Sequence, residues 1–179
     1  PHSKVRVAVS DIDGIMRGKL MHRDKFLSSL DSGFGFCDVV FGWDANDQLY
    51  DRSKLTGWHT GYPDTEARLD LNTFRLVPWE DDLPFVLGDF DLGNGTGFPA
   101  CPRSLLKTII KQAENEGLSP IFSQEFEWFN FTEDSKSIQE KGYRSAEPLT
   151  PGMFGYSILR ASEYSAYFDD LFELLAQFD

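Results

Sequence analysis

The sequence has few cysteines and lacks any long apolar run. Its two cysteines, Cys37 and Cys101, have no metal-binding spacing, so we expect a reducing, cytoplasmic environment. No stretch approaches the roughly 20 apolar residues that a membrane-spanning helix needs, and the first residues lack the apolar core of a signal peptide. These absences argue against a disulfide scaffold and against a membrane protein.

Positive charge is also scarce. The 179 residues include 17 Lys and Arg against 29 Asp and Glu, a formal net charge of −12. Such a surface repels polyanions, which argues against nucleic acid or an anionic membrane as the main partner. Hydrophobic residues make up 41% of the chain, sixteen of them Phe, so it can build a substantial core.

The first half of the chain has the alternating pattern of strands, and Asp13-Gly14 predicts a hairpin between the first two. A helix follows and stops at Gly33. Hairpin, helix and further strands in this order are typical of a β-grasp unit. The predicted strands are 4–10, one after the Asp13-Gly14 turn, 38–44, 73–78 and 84–90.

The second half opens with a Gly- and Pro-rich linker, residues 93–102. An amphipathic helix then runs from Pro102 to Gly117. The pattern after it predicts an aromatic strand at 121–131, a long polar loop at 132–155 and a last helix at 162–178.

The predicted fold class is therefore α+β, with two domains. Residues 1–98 would form a β-grasp domain, and residues 99–179 the beginning of an α/β domain. The chain has no initiator Met, and its last helical pattern stops without a cap. We therefore expect it to be a piece of a longer protein.

Two glutamates, Glu125 and Glu127, interrupt the aromatic stretch "FSQEFEWFNF". In a strand they would share one face, roughly 7 Å apart, and burying either charge without a partner would be very costly. A pair of divalent cations would account for them, because Mg²⁺ and Mn²⁺ prefer carboxylate oxygens and two such ions can clamp a phosphoryl group.

The spacing of the two glutamates does not by itself require metal. Carboxylates at this separation also suit the acid–base pair of an inverting glycosidase, where the gap is ~6.5–9.5 Å. A solvated or ion-paired strand face would need neither metal nor substrate. Elsewhere, Arg17 and Lys19 on the first hairpin are candidates for phosphate contact, although a structural role is commoner for such charges.

An ordered set of motifs resembles the glutamine synthetase family. "SQEFEWFNF", preceded by "PRSLLKTIIKQAENEGLSP", is similar to the family's E-x-E strand and the proline–arginine-led helix before it. "DIDGIMRGKL" resembles its N-terminal hairpin and "FGWD" its loop aspartate. "YPDTEARLDLNTFRLVPW" resembles its D-x5-D-x2-T stretch, and "PLTPGMFGY" the loop after the metal strand. The resemblance covers nearly all of the chain from residue 5 onward.

The resemblance implies an ATP-dependent ligase that joins glutamate to ammonia or a small amine through γ-glutamyl phosphate, with two Mg²⁺ or Mn²⁺ ions. Glu125 matches a ligand of the metal that meets the ATP phosphates, and Glu127 a ligand of the metal that holds glutamate. Asp44 matches the aspartate that binds and deprotonates ammonium in the neighbouring subunit's active site, and Asp64 a second acidic position near it. A homo-oligomer is thereby also implied.

Two departures from the family pattern matter. After Asp44 the sequence reads "ANDQLYD", where the ammonia-using bacterial enzymes have a Gly-Ser-Ser run, so a larger amine such as a polyamine would fit. The family's remaining metal ligands and its phosphate-binding arginines have no match in these residues. We therefore expect no activity from the 179 residues alone, and a non-catalytic assembly protein is the rival interpretation.

Overall fold

The computed structural model describes residues 2–93, 95–152 and 155–178. The sequence motif "PLTPGMFGY" includes residues 153 and 154, and the Gly- and Pro-rich linker includes residue 94. Those positions lie outside the described residues.

The chain divides into two compact units, Pro1–Pro120 with Gln177–Asp179 and Ile121–Ala176. The boundary expected at residue 98 concerns domains rather than these units, and it stays a prediction.

One mixed sheet of five strands organises the first unit, in the order β2-β1-β5-β4-β3. Strands β1 and β5 run parallel, and the other neighbours are antiparallel. The chain is thus a mixed α and β structure. The strands are β1 (Lys4–Ser10), β2 (Met16–His22), β3 (Phe34–Cys37), β4 (Asp64–Val77) and β5 (Leu83–Phe90).

The hairpin between β1 and β2 forms where the Asp13-Gly14 dipeptide predicts it. Gly14 has a φ of 82°, in the left-handed region that glycine adopts at no steric cost. The carboxylate of Asp11 accepts hydrogen bonds from the backbone N–H groups of Asp13, at 2.9 Å, and Ile15, at 2.8 Å. The turn therefore depends on a side chain that comes before the dipeptide.

Helix α1, Arg23–Ser32, follows the hairpin and ends at Gly33, as the sequence predicts. Phe26 is its buried apolar side chain. The core of the first unit gathers apolar side chains from the sheet, from this helix and from the segments after β3 and β5. Its members include Val7, Val9, Met21, Phe26, Phe34, Val40, Phe41, Val86, Phe90 and Phe98.

The strand predicted at 38–44 is wrong, and a 3₁₀ turn over Asp38–Phe41 takes its place. Val40 and Phe41 are both buried, whereas neighbouring residues of a strand point to opposite faces. The buried carboxylate of Asp38 accepts a hydrogen bond of 2.6 Å from the Thr56 hydroxyl. Strand pairing with β4 is instead made by β3, just before the turn.

Among the described residues, four helices follow the sheet: α2 (Pro102–Asn115), α3 (Ser135–Glu140), α4 (Ile158–Ser162) and α5 (Ser165–Phe178). Pro102 opens α2, and Gly117 lies just beyond its end with a φ of 75°. The predicted polar loop contains the short α3. None of the helices within the described ranges has both the length and the apolar character needed to span a bilayer.

The strand predicted at 121–131 is also wrong. Residues 121–130 have no regular secondary structure, and Phe131 makes only an isolated bridge with Pro148. A strand needs a neighbouring strand for its backbone hydrogen bonds, and the described residues supply none along this segment. The shared face that the alternation predicts for Glu125 and Glu127 is therefore not formed by a sheet.

Candidate functional site

Asp44 begins a tight loop that is closed by a bridge between Trp43 and Leu49. Its Oδ1 accepts hydrogen bonds from the backbone N–H groups of Asn46, at 2.8 Å, and Gln48, at 3.0 Å. Its own N–H donates to the Gln48 carbonyl at 3.0 Å. Within the described part of the chain, Oδ2 has no hydrogen-bond partner. The loop thus orients the half-buried carboxylate and leaves one oxygen for another group.

Arg17 of β2 reaches this loop. Its Nε donates to Oδ2 of the buried Asp11 at 2.8 Å, and its Nη1 lies 2.6 Å from Oδ1 of Asp47. Its Nη2 is 3.5 Å from the Asp44 carbonyl oxygen, and the guanidinium lies 5.0 Å from the ring centroid of Trp43. The hydrogen bond to Asp11, followed by that to Asp47, raises the pKa of Arg17. These contacts favour the structural interpretation of Arg17 over phosphate contact.

Tyr50 is influenced by the same carboxylates. Desolvation, together with the charges of Asp13, Asp44 and Asp11, raises the pKa of its hydroxyl, so this group stays neutral at physiological pH. Its backbone N–H donates to the Gly42 carbonyl at 2.8 Å and fixes the end of the loop. Asp44 therefore lies in a negatively charged neighbourhood that would favour a cation.

Asp64 is the first residue of β4, opposite Cys37 of β3. Its side chain is exposed and covers Gly35 so closely that a Cβ at that glycine would lie 3.0 Å from the carboxylate Oδ2. No hydrogen bond joins Asp64 to Asp44 among the described residues. Asp44 thus lies on the loop closed by Trp43 and Leu49, whereas Asp64 lies at the start of β4.

Glu125 and Glu127 are both exposed in the irregular segment. Across the described ranges, no group of three or more His, Cys, Asp or Glu side chains is arranged to hold a metal ion. Each glutamate suits a hard divalent cation as a single ligand, because Mg²⁺ usually takes one or two protein carboxylates and completes its shell with water and phosphate. The residues fit a contribution to a metal site and not a whole one.

A network of charged side chains that the sequence reasoning missed connects two of the sequence motifs. Arg103, from the "PRSLL" helix, donates to Asp70 at 2.8 Å, and Asp70 is the second aspartate of the D-x5-D-x2-T stretch. Thr73 of that stretch donates to the Asp70 carbonyl at 2.6 Å and accepts from the Leu87 N–H at 2.9 Å, where the pairing of β4 and β5 is irregular. These motif residues hold the helix to the sheet.

No protein-family model matches the chain. It is 52% identical over 170 residues to type-1 glutamine synthetase 2 of Dictyostelium discoideum, across 95% of this chain and 33% of the relative. It is 37% identical over 163 residues to a glutamate–isopropylamine ligase of a Pseudomonas species, across 90% of this chain and 35% of the relative. The chain thus spans about a third of the length of these curated relatives.

A solved structure described as a novel glutamine synthase homologue matches with a TM-score of 0.52 and 24% identity. The match covers 65% of this chain and 28% of that one, and it shows a shared fold. The shared fold does not by itself identify the family, whereas the sequence identity to the two curated relatives does. The chain, which spans about a third of the length of these relatives, belongs to the glutamine synthetase family.

Proposed function

We propose that the chain is the N-terminal part of an ATP-dependent ligase that joins the γ-carboxylate of glutamate to ammonia or a small amine. The two curated relatives, a glutamine synthetase and a glutamate–isopropylamine ligase, support this reaction class. The observation that carries the proposal is the Asp44 loop. It presents a carboxylate with one oxygen bound by the loop itself and the other without a partner among the described residues.

In this proposal Asp44 binds the amine in its cationic form and accepts a proton as the amine attacks. The carboxylate suits both tasks, because it stabilises a cation and can act as a general base. The neighbouring charge of the exposed Asp13, which acts on Tyr50, strengthens the attraction for a cation. Asp64 contributes negative charge near the acceptor site of the assembled protein, where subunits of a homo-oligomer meet.

Glu125 and Glu127 each supply one carboxylate to one of two divalent cations, Mg²⁺ or Mn²⁺. Such ions, when bound, would supply positive charge at the ATP phosphates during transfer of the γ-phosphoryl group to the glutamate γ-carboxylate. The described residues contain no group of three or more His, Cys, Asp or Glu side chains that could hold these ions. The 179 residues alone are therefore inactive in this proposal.

The assignment of a β-grasp domain is likewise a proposal. The order of the elements supports it. An N-terminal hairpin is followed by α1 and then by further strands, of which β5 pairs in parallel with β1. The catalytic domain would begin within residues 99–179.

A larger cationic amine, such as a polyamine, is the second candidate acceptor. The specific observation in its favour is the charge of the exposed Asp13, which acts together with Asp44 on Tyr50. A second ammonium of a polyamine would find carboxylates there, whereas ammonia needs only one.

The test uses the full product of the gene, with ATP, glutamate, Mg²⁺ and a panel of ammonia, isopropylamine and putrescine. We expect amine-dependent phosphate release with at least one member. Asp44→Asn should reduce amine use much more than glutamate-dependent ATP cleavage, whereas Asp31→Asn, an exposed aspartate on α1, should change neither. A folded protein without turnover on any amine would favour the non-catalytic assembly role.

A further inference from the structure

We propose that Arg17 is a positioning residue that holds the Asp44 loop against the N-terminal hairpin, and so fixes the carboxylate that meets the acceptor amine. The amine part of this inference rests on the proposed function. The anchoring part rests on geometry alone.

The hairpin end of the connection is rigid. Asp11 has no exposed surface, and its carboxylate is used on both oxygens. Oδ1 accepts hydrogen bonds from the backbone N–H groups of Asp13 and Ile15, and Oδ2 accepts one from Nε of Arg17 at 2.8 Å. Only 19% of the Arg17 side chain is exposed. The Nε of Arg17 is therefore held by a buried turn in which both oxygens of the Asp11 carboxylate are hydrogen-bonded.

The loop end of the connection involves three residues. Nη1 of Arg17 pairs with the Asp47 carboxylate at 2.6 Å, Nη2 approaches the Asp44 carbonyl at 3.5 Å, and the guanidinium lies over the Trp43 ring. The N–H of Asp47 in turn donates to the Asp44 carbonyl at 3.0 Å. Arg17 thus contacts the loop at its start and at its tip.

These contacts complement those that the loop makes within itself. Asn46 and Gln48 orient the Asp44 carboxylate relative to the loop, but they do not fix the loop relative to the sheet. Arg17 supplies that second constraint from β2. A shift of about 1 Å in a reacting group can slow a reaction by about a hundredfold, so loop placement matters to the chemistry.

The planar guanidinium is essential to this role. Its Nε and two Nη atoms point in three fixed directions, toward Asp11, Asp47 and the Asp44 carbonyl. A lysine carries one compact ammonium that cannot span these partners. Arg17→Lys keeps the positive charge that balances the Asp11 carboxylate and removes the three fixed donor directions of the guanidinium.

The anchoring part is tested by ¹⁵N relaxation on the 179-residue chain, kept below the concentration at which it self-associates. In the wild type, the amides of Asn46 and Gln48 should show rigid order parameters of about 0.85, and in Arg17→Lys they should fall toward about 0.6. Asp11→Asn/Arg17→Gln should do the same while leaving no unpaired buried charge. Arg6→Lys, which disrupts the paired Arg6–Glu80 contact elsewhere on the sheet, is the matched control and should leave both amides rigid.

The amine part is tested on the full gene product. Arg17→Lys should raise the KM for the amine by about ten- to hundredfold, with glutamate-dependent ATP cleavage unchanged. Rigid amides in both Arg17 variants would overturn the anchoring. Mobile amides with an unchanged amine KM would overturn the positioning role while the proposed function stands. A wild type that is inactive on every amine would overturn the proposed function and the amine part, and the relaxation data would still decide the anchoring.

Discussion

Arg103 on α2 binds the carboxylate of Asp89 on β5, and this contact attaches the helix to the sheet. Asp70 on β4 joins the pair, and Lys107, one turn further along the helix, lies 2.8 Å from Asp70 and 2.6 Å from Asp89. Two cations and two anions therefore neutralise one another. The helix that the sequence assigns to the second domain belongs to the first compact unit.

This network predicts a pH-dependent stability. The hydrogen bond from Lys107, followed by that from Arg103, holds the pKa of Asp70 well below its usual range. Because the folded-state pKa is depressed, the stabilisation is fully present above the unfolded pKa of about 3.9 and is lost as the pH falls toward the folded value. Asp70→Asn should lower the free energy of unfolding at pH 7 by about 1–3 kcal/mol.

The difference between wild type and Asp70→Asn should shrink below a pH of about 4. Urea unfolding followed by tryptophan fluorescence at several pH values measures it. Asp31→Asn, on the exposed surface of α1, is the control. A difference that stays constant between neutral and acid pH would show that the charge of Asp70 does not stabilise the fold.

A second titration is expected within residues 121–176. Lys141, the Ser137 hydroxyl and the backbone N–H of Glu147 all donate to the Glu133 carboxylate and lower its pKa to about 2. Its contribution to stability is therefore present above the unfolded Glu value of about 4.3 and is lost as the pH falls toward the folded one. Carbon-13 NMR of the carboxyl groups measures the titration.

Glu133→Gln supplies the structural counterpart of that measurement. It should loosen the connection between α3 and Glu147, seen as faster exchange of the Glu147 amide. The exposed Glu140 offers a matched control, Glu140→Gln. A Glu133 carboxyl that titrates near its ordinary value would contradict the network.

The elements that the sequence predicted correctly include strands β1 and β5, from their alternation, and three elements specified by local signals. The β1–β2 hairpin follows from its Asp-Gly dipeptide, α1 from its spacing and Gly33, and α2 from Pro102 and its apolar stripe. Strand β3 escaped notice because Phe34–Cys37 is short and depends on pairing with β4.

The strand predicted at 121–131 was wrong because a strand is not a local structure. Residues 121–131 alternate as a strand should, yet a strand forms only where a partner accepts its hydrogen bonds. Asp11 was missed for a related reason. Its buried carboxylate pairs with Arg17, which lies close in sequence, and Arg17 also pairs with Asp47 from a distant loop. The sequence analysis singled out Asp44 and Arg17 separately, but not the contact between the Arg17 guanidinium and the Asp44 loop.

Metal dependence gives a third prediction, on the full gene product. Glu125→Gln and Glu127→Gln should each abolish Mg²⁺- or Mn²⁺-dependent ATP turnover and leave the fold intact, because the amide keeps the shape and loses the anionic ligand. Glu114→Gln, on α2, is the control. Wild-type activity in either variant would show that the two glutamates are solvated side chains and not metal ligands. Circular dichroism would show whether a loss of activity reflects unfolding.

The last prediction concerns the 179 residues by themselves, which should show no ligase activity and only weak binding of divalent cations. Each glutamate offers Mg²⁺ one carboxylate, and the ion would keep most of its water. The basic side chains of Arg6, Arg17 and Arg103 are already bound to carboxylates. ATP would meet a surface of net charge −12 and be repelled.

The same residues should self-associate. Ile121 is 96% exposed, Phe122 and Phe126 are each 73% exposed, and Phe129 is 68% exposed. Exposed apolar surface of this kind drives association. Phe126→Ser should therefore raise the concentration at which sedimentation first detects oligomers, whereas Leu27→Ser on α1 should change it less.

Calorimetry with Mg²⁺ and ATP, together with an assay of glutamate-dependent phosphate release, tests the predicted lack of ligase activity and of strong cation binding. Micromolar affinity for ATP or metal-dependent turnover would show that these residues already contain a working site, and the proposal that they need further chain would be wrong.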